Sequence, residues 1–209
     1  MIEAQPQFKR RGLVICVSGP SGVGKGTIIK RVMAMRPNVA HSISVTTRAP
    51  RPGEKDSVDY YFRDENAFRQ MLDHGEILES DYYCGNYYGT PLSPLERLVS
   101  QGIDVLLDIT VPGSISIMKN YPEAISLFLL PPSFTELQRR LEKRGTEDAE
   151  VMQRRLQKAR DEIGQAKLFK YLVVNDDLDE TARRILAIFE AEHCRYDRLV
   201  GVEETILAL

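Results

Sequence analysis

Nine residues set between an apolar run and a helix-like pattern constrain this chain more than any other feature. Residues 19–27 read GPSGVGKGT and follow the β-branched stretch GLVICVS at 12–18. From about Gly24 to Met35 the pattern is helical, with Ile28, Ile29, Val32 and Met33 on a shared side. Strand, glycine-rich turn and helix, in that order, open α/β nucleotide-binding cores. Gly19, four residues, Gly24 and Lys25 have the spacing of a phosphate-binding loop. Its glycines let backbone N–H groups converge on phosphate oxygens, the helix N-terminus adds a favourable field, and the lysine supplies a mobile charge. Gly19, Pro20, Ser21, Gly22, Val23, Gly24, Lys25, Gly26 and Thr27 are therefore the candidate ATP-binding positions. A dinucleotide fold fits worse, because position 27 is threonine where that spacing needs its third glycine.

One position departs from the general loop pattern. Gly26 follows the lysine, where a serine or threonine hydroxyl usually faces Mg2+. Thr27, one place later, can cap the helix or reach a water on the metal. Metal binding then leans on phosphates, water and a distant carboxylate. Asp108, which closes the apolar run 103–107, is the candidate for that carboxylate, acting through water. A strand-end turn former is the alternative reading of Asp108.

A second anion site is expected at TTRAPRPGE, where Arg48 and Arg51 flank Ala49–Pro50. Two planar guanidinium forks can grip one phosphate from two directions. Tyr60 and the cluster GNYYGT at 85–90 add phenolic hydroxyls, with Tyr88 beside Gly89 the best placed for a phosphate. Tyrosines also fill small cores, so each has a packing reading of equal weight. The arginine-rich stretch 133–160 carries Arg144, Arg155 and Arg160 around the Gly145–Thr146 break. A solvated, salt-bridge-laced helix accounts for several of these arginines. A hinged, arginine-bearing segment is also what phosphoryl transfer uses to neutralise charge and exclude water.

Composition narrows the partners. With 28 basic and 30 acidic residues in 209, the net charge of -2 argues against a duplex nucleic-acid binder but not against a local pocket for a small anion. Three cysteines and three histidines lie scattered, without the short spacing of a zinc site or the even count of a disulfide framework. The apolar run after the basic cluster near residue 10 is too short for a signal-peptide core or a membrane span. A cytoplasmic protein with no membrane partner is the default. Beyond the first helix, strands are expected at 58–62, 76–79, 103–107, 125–130 and 172–174, and helices at 64–74, 133–144 and 147–167. A last helix, capped by Asp177 with Glu180 three residues on, runs to about His193.

From about Gly12 to about Glu192 the chain resembles the guanylate kinase family, whose members pass phosphate from ATP to GMP. The resemblance rests on GPSGVGKGT, SVTTRAPRPGE, VDYYF, the GEILE–GNYYGTP pair, LDI, PPS, RGTE and VVNDDLDE, in that order. It implies an α/β fold: a parallel-sheet P-loop NTPase core (12–40, 99–142 and 163–195) with an inserted GMP-binding subdomain (41–98) and a helical lid (143–162). Residues 1–11 are then an N-terminal extension and 196–209 a tail. By this resemblance Ser44, Glu79 and Thr90 read the guanine edge, while Arg48, Arg51, Tyr60 and Tyr88 meet the GMP phosphate. Lys25, Arg48, Arg144 and Arg155 serve catalysis, Asn175 passes the adenine, and Thr27 and Asp108 lie near the Mg2+. Mg2+ with ATP is the expected cofactor and GMP the expected acceptor. The sequence does not distinguish a monomer from a homodimer.

The implied chemistry suits these residues. Guanine offers N1–H and N2–H2 donors that a carboxylate such as Glu79 accepts and that adenine cannot reproduce. Family members typically carry a second acid two places after the aspartate, in LDIDxQG, whereas this chain reads LDITVPG, with Thr110 and Pro112. A hydroxyl lacks the charge, so the loss is roughly 1–2 kcal/mol, about 5- to 30-fold in GMP binding, unless a compensating group lies elsewhere. Thr110 is carried as the residue now at that position of the GMP site. Two rival readings are another nucleoside monophosphate kinase, favoured only by GKGT, and a non-catalytic guanylate-kinase-like binding module, disfavoured by the intact loop.

Overall fold

The computed structural model describes residues 10–83, 85–143, 149–199 and 201–208. Arg144, expected to serve catalysis, lies outside the described residues. Along the chain come β1 (Val14–Ser18), α1 (Lys25–Met35), β2 (Val39–His41), β3 (Val45–Thr46), β4 (Tyr61–Phe62) and α2 (Glu65–Asp73). Next are β5 (Ile77–Tyr83), β6 (Asn86–Pro91), α3 (Leu92–Ser100), β7 (Asp104–Asp108), α4 (Val111–Asn120) and β8 (Ile125–Leu130). The last are α5 (Phe134–Lys143), α6 (Ala149–Gly164), β9 (Tyr171–Val174), α7 (Leu178–His193) and α8 (Val202–Leu207).

The core sheet has the order β2-β7-β1-β8-β9, and every pair in it is parallel. Its central strand β1 is buried throughout, as the uninterrupted run VICVS requires of a strand covered on both faces. Side chains alternate along it. Leu13, Ile15 and Val17 join Ile28, Ile29 and Val32 of α1 and Ala182, Ile185 and Phe189 of α7. Val14 and Cys16 turn to the other face, where Leu95 and Val99 of α3 and Ile117 of α4 meet Val105 and Leu107. The α/β class with a parallel core sheet is thus the observed fold.

A second sheet, order β4-β3-β6-β5, is built around the antiparallel β5–β6 hairpin. Val45, Phe68 and Ile77 form its own small core, with Phe68 and Tyr87 stacked at 5.4 Å between ring centroids. The helix expected at 64–74 forms because Asp64 caps it, accepting from the Ala67 N–H at 2.8 Å. Helices α3 and α4 were not expected. Pro94, Pro112 and Gly113 are poor helix formers, yet prolines are tolerated in a first helical turn and burial against β1 and β7 outweighs the weak propensity.

The expected limits at 41, 98, 143 and 162 fall inside elements. His41 pairs with Leu106 on the core sheet, and α3 runs across position 98 while packing in the core. Leu137 and Leu141 of α5 pack with Ala159, Met152 and Leu156 of α6, so one apolar body joins helices on both sides of position 143. Among the described residues no helix is long and apolar enough to cross a membrane.

Candidate active site

In an open parallel sheet the ligand crevice lies beyond the carboxyl ends of the strands. Ser18, Asp108, Leu130 and Val174 end the four central and edge strands there, with Val17 in register beside Asp108. The loop 19–24 leaves β1 at this edge. A Cβ on Gly19 would stand 2.5 Å from the Leu129 carbonyl oxygen, so only glycine lets the chain cross β8 so closely. Gly24 caps α1 at φ 102 without a side-chain hydrogen bond, which leaves the first N–H groups of the helix for an anion. Lys25 reaches back over the loop and donates Nζ to the Gly19 carbonyl at 3.0 Å.

The loop is fixed from one side by residues distant in sequence. Asn175 is buried and donates Nδ2 to the Val23 carbonyl at 2.8 Å. Arg140 of α5 donates to the carbonyls of both Val23 and Asn175 at 3.3 Å while pairing with Glu136 at 2.8 Å. Asn175, expected beside the adenine, therefore has its amide engaged with the loop itself. Arg140 escaped the sequence reading, since nothing local separates it from the other arginines of an amphipathic helix.

Asp108 stands opposite this loop. Its Oδ1 is 4.0 Å from Lys25 Nζ, and a Cβ on Gly26 would lie 3.9 Å from its Oδ2. Surrounding protein raises its pKa above the ordinary carboxylate value, against the opposing pull of Lys25 and His41. Thr27 is exposed on the first turn of α1. Among the described residues no group of three His, Cys, Asp or Glu converges on one point. One carboxylate and one hydroxyl beside a phosphate loop nevertheless fit Mg2+, which keeps several waters and takes its other oxygens from substrate phosphates.

Across the cleft, β5 and β6 present the second set. Glu79 is 7 % exposed, and its Oε1 accepts from Thr90 Oγ at 2.8 Å. Burial pushes its carboxyl up to about 6; the Thr90 hydroxyl opposes this and nearby Asp81 adds to it. A Cβ on Gly113 would lie 2.8 Å from Glu79 Oε2, so that glycine makes room for the carboxylate at the start of α4. Thr110 caps α4, its Oγ accepting from the Gly113 N–H at 3.2 Å, and Pro112 sits in the first turn, where a missing N–H costs nothing. Ser18 Oγ donates to the carbonyls of Ile109 and Thr110, at 2.9 and 3.0 Å, and ties this turn to β1.

Arg48 is gripped by Glu54, whose carboxylate takes Nη2 at 2.9 and 3.0 Å and the Arg51 N–H at 2.7 Å. These bonds, the Arg48 guanidinium foremost, hold the Glu54 carboxyl below its ordinary value. The Arg48 guanidinium also lies 5.3 Å from the centroid of the Tyr60 ring, which meets Tyr88 edge-on at 6.1 Å. Glu54 was visible only as the last letter of TTRAPRPGE. Its grip on the Arg48 guanidinium follows from the turn that brings it back to the Arg51 N–H.

Two adjoining cavities collect part of the expected set, and Thr27, Arg48 and Arg51 line neither of them. One, about 220 Å³, is lined by Gly19, Ser21, Lys25, Asp108, Thr110 and Arg155, with Tyr83, Ile109, Lys158 and Glu162. The other, about 150 Å³, is lined by Ser44, Tyr60, Glu79, Asp81, Tyr83, Tyr88, Gly89, Asp108, Ile109 and Thr110. Tyr83, Asp108, Ile109 and Thr110 belong to both. Thr90 and Asn175 are not among the lining residues, and Arg51 is exposed. A larger cavity of about 520 Å³, around Arg10, Pro122, Lys170 and Arg195, contains none of the candidate residues.

A parallel sheet with a glycine loop and lysine at its carboxyl edge, and a carboxylate-bearing pocket sharing a wall with that loop, defines a P-loop enzyme of the nucleotide-kinase type. The guanylate kinase family model matches residues 9–192. The guanylate kinase of Streptococcus pneumoniae is 45% identical over 198 residues, 94% of this chain and 95% of the relative. That of Lactococcus lactis is 45% identical over 193 residues, 92% of this chain and 94% of the relative. A crystal structure of guanylate kinase from Anaplasma phagocytophilum superposes with a TM-score of 0.77 at 36% identity, covering 96% of each chain. The chain belongs to the guanylate kinase family.

Proposed function

We infer that the chain transfers the γ-phosphoryl group of ATP to GMP, giving ADP and GDP. The observation that carries this reading is the shared wall: the phosphate-loop cleft and the Glu79 pocket meet at Asp108 and Thr110. A donor phosphate over Lys25 and an acceptor phosphate near Arg48, Tyr60 and Tyr88 can then approach one another directly. No covalent intermediate is needed. A phosphate oxygen of GMP forms the new bond to the γ-phosphorus in line as the bond to the ADP oxygen breaks.

Each residue has a definite task. Loop N–H groups from 19–27 and Lys25 hold the donor phosphates. Arg48, aimed by Glu54, and Arg51 hold the acceptor phosphate. Arg155 on α6, which lines the cleft with Lys25, brings charge to the transferring group, and Arg144 is assigned the same task by the family resemblance alone. Glu79 accepts from guanine N1–H and N2–H2, Thr90 orients Glu79, and Ser44 contributes to the base edge. Asp108 and Thr27 are the residues that would hold Mg2+ through water, and the ion would supply neutralising charge for the donor phosphates.

The test is ATP-dependent nucleoside diphosphate formation across GMP, dGMP, AMP, CMP and UMP. GMP is expected to have the highest kcat/KM. A clear preference for another base, or no turnover of GMP, overturns the reading.

A further inference from the structure

We propose that Asp81 is a second guanine-reading carboxylate, accepting from the exocyclic 2-amino group alongside Glu79. The proposal rests on GMP being the acceptor. Its starting point is the register of the β5–β6 hairpin, in which Glu79 pairs with Thr90 and Asp81 with Tyr88. A strand repeats every two residues, so Glu79 and Asp81 share one face while exposed Ser80 takes the other. That face is a wall of the acceptor pocket, and Asp81 lines it with Glu79, Tyr88 and Thr110.

Two further observations favour Asp81 as a ligand residue. Its carboxylate is half-buried, and among the described residues no hydrogen bond or ion pair holds it. A carboxylate kept beside buried Glu79 raises the cost of ionising Glu79, a like-charge arrangement that hurts the empty pocket and is relieved when a donor-rich ligand sits between the two. Meanwhile Thr110, across the pocket, already accepts the Gly113 N–H as a helix cap. Guanine carries three N–H hydrogens on its N1–N2 edge, more than the free oxygen of Glu79 can accept alone. Asp81 supplies the missing acceptor from the strand opposite Thr110.

A different partner for Asp81 would be the Lys158 ammonium of α6, which lines a neighbouring cleft with it. That contact is blind to the base, and this separates the two readings. GMP and inosine 5′-monophosphate differ only in the 2-amino group. We expect Asp81→Ala to weaken GMP binding roughly 5- to 30-fold by calorimetry, while inosine monophosphate binding changes less than about twofold. Asp81→Asn, which keeps the side-chain volume, should move the GMP-to-inosine ratio in the same direction without lowering Tm. An equal loss for both nucleotides, or no loss for either, overturns the assignment. Failure of the parent protein to bind GMP at all would instead remove the acceptor reading beneath it.

Discussion

Replacing Glu79 with glutamine should make the unliganded protein more stable and a far poorer catalyst. The carboxyl is 7 % exposed, and burial moves its pKa from an ordinary 4.5 to about 6. That difference corresponds to about 2 kcal/mol against the ionised form. The folded state therefore holds the proton more tightly than the unfolded chain, and this group's contribution to stability falls as pH rises from 4.5 to 6. At pH 7 the full cost is present, and Glu79→Gln removes it while keeping an oxygen for the Thr90 hydroxyl. The gain by urea denaturation should be on the order of 1–2 kcal/mol at pH 7 and near zero at pH 4.5. Binding moves the other way. Guanine's donors need the ionised carboxylate, so the parent's kcat/KM for GMP should fall about tenfold per unit as pH drops below about 6. Two hydrogen bonds to a charged group contribute roughly 1.5–3 kcal/mol each, so the glutamine variant should lose at least about 100-fold in kcat/KM for GMP. A variant less stable than the parent at pH 7, or a GMP profile flat from pH 5 to 7, would refute the reasoning.

Lys25→Ala should lower kcat by at least about 100-fold, because the ammonium that the loop itself supplies is lost, yet GMP binding measured without ATP should stay within about twofold; an equal loss on both would contradict the division into two clefts. Asn175→Ala removes the 2.8 Å bond to the Val23 carbonyl, so it should cost about 1 kcal/mol of stability and raise KM for ATP more than for GMP, as steady-state kinetics with each substrate varied would read. A selective effect on GMP would place Asn175 on the wrong side of the molecule.

Much of the core was legible because its signals are local. The runs at 12–18, 103–107 and 125–130 are too uniformly apolar for a surface strand, and the loop between β1 and α1 has a spacing with one main physical use. Asp177 announced its helix by cap chemistry and fulfils it, accepting the Glu180 N–H, and the structure shows Asp64 capping α2 in the same way through the Ala67 N–H. What stayed hidden depended on tertiary contact. Leu92–Ser100 and Val111–Asn120 contain proline, glycine and β-branched residues, and become helical because Leu95, Val99 and Ile117 gain burial against β1 and β7.

The site divides along the same line. Residues proposed to face the substrates, Lys25, Glu79 and Arg48 among them, could be found from type and motif. Residues that aim them could not, because their partners are far away in sequence. Glu54 takes the Arg48 guanidinium and the Arg51 backbone N–H, and Ser18 anchors the turn that carries Thr110, while Thr90, named by its motif, has a hydroxyl whose bond to Glu79 only the fold reveals. The change from an acid to Thr110 illustrates the consequence. Judged alone it removes a ligand from the base pocket. In the fold that threonine caps α4, Pro112 enters the first turn without loss, and Gly113 leaves space for Glu79, so the segment is a coherent helix start. On the proposed reading of the pocket, the second acid comes instead from β5, whose Asp81 lines the same cavity as Glu79 and Thr110.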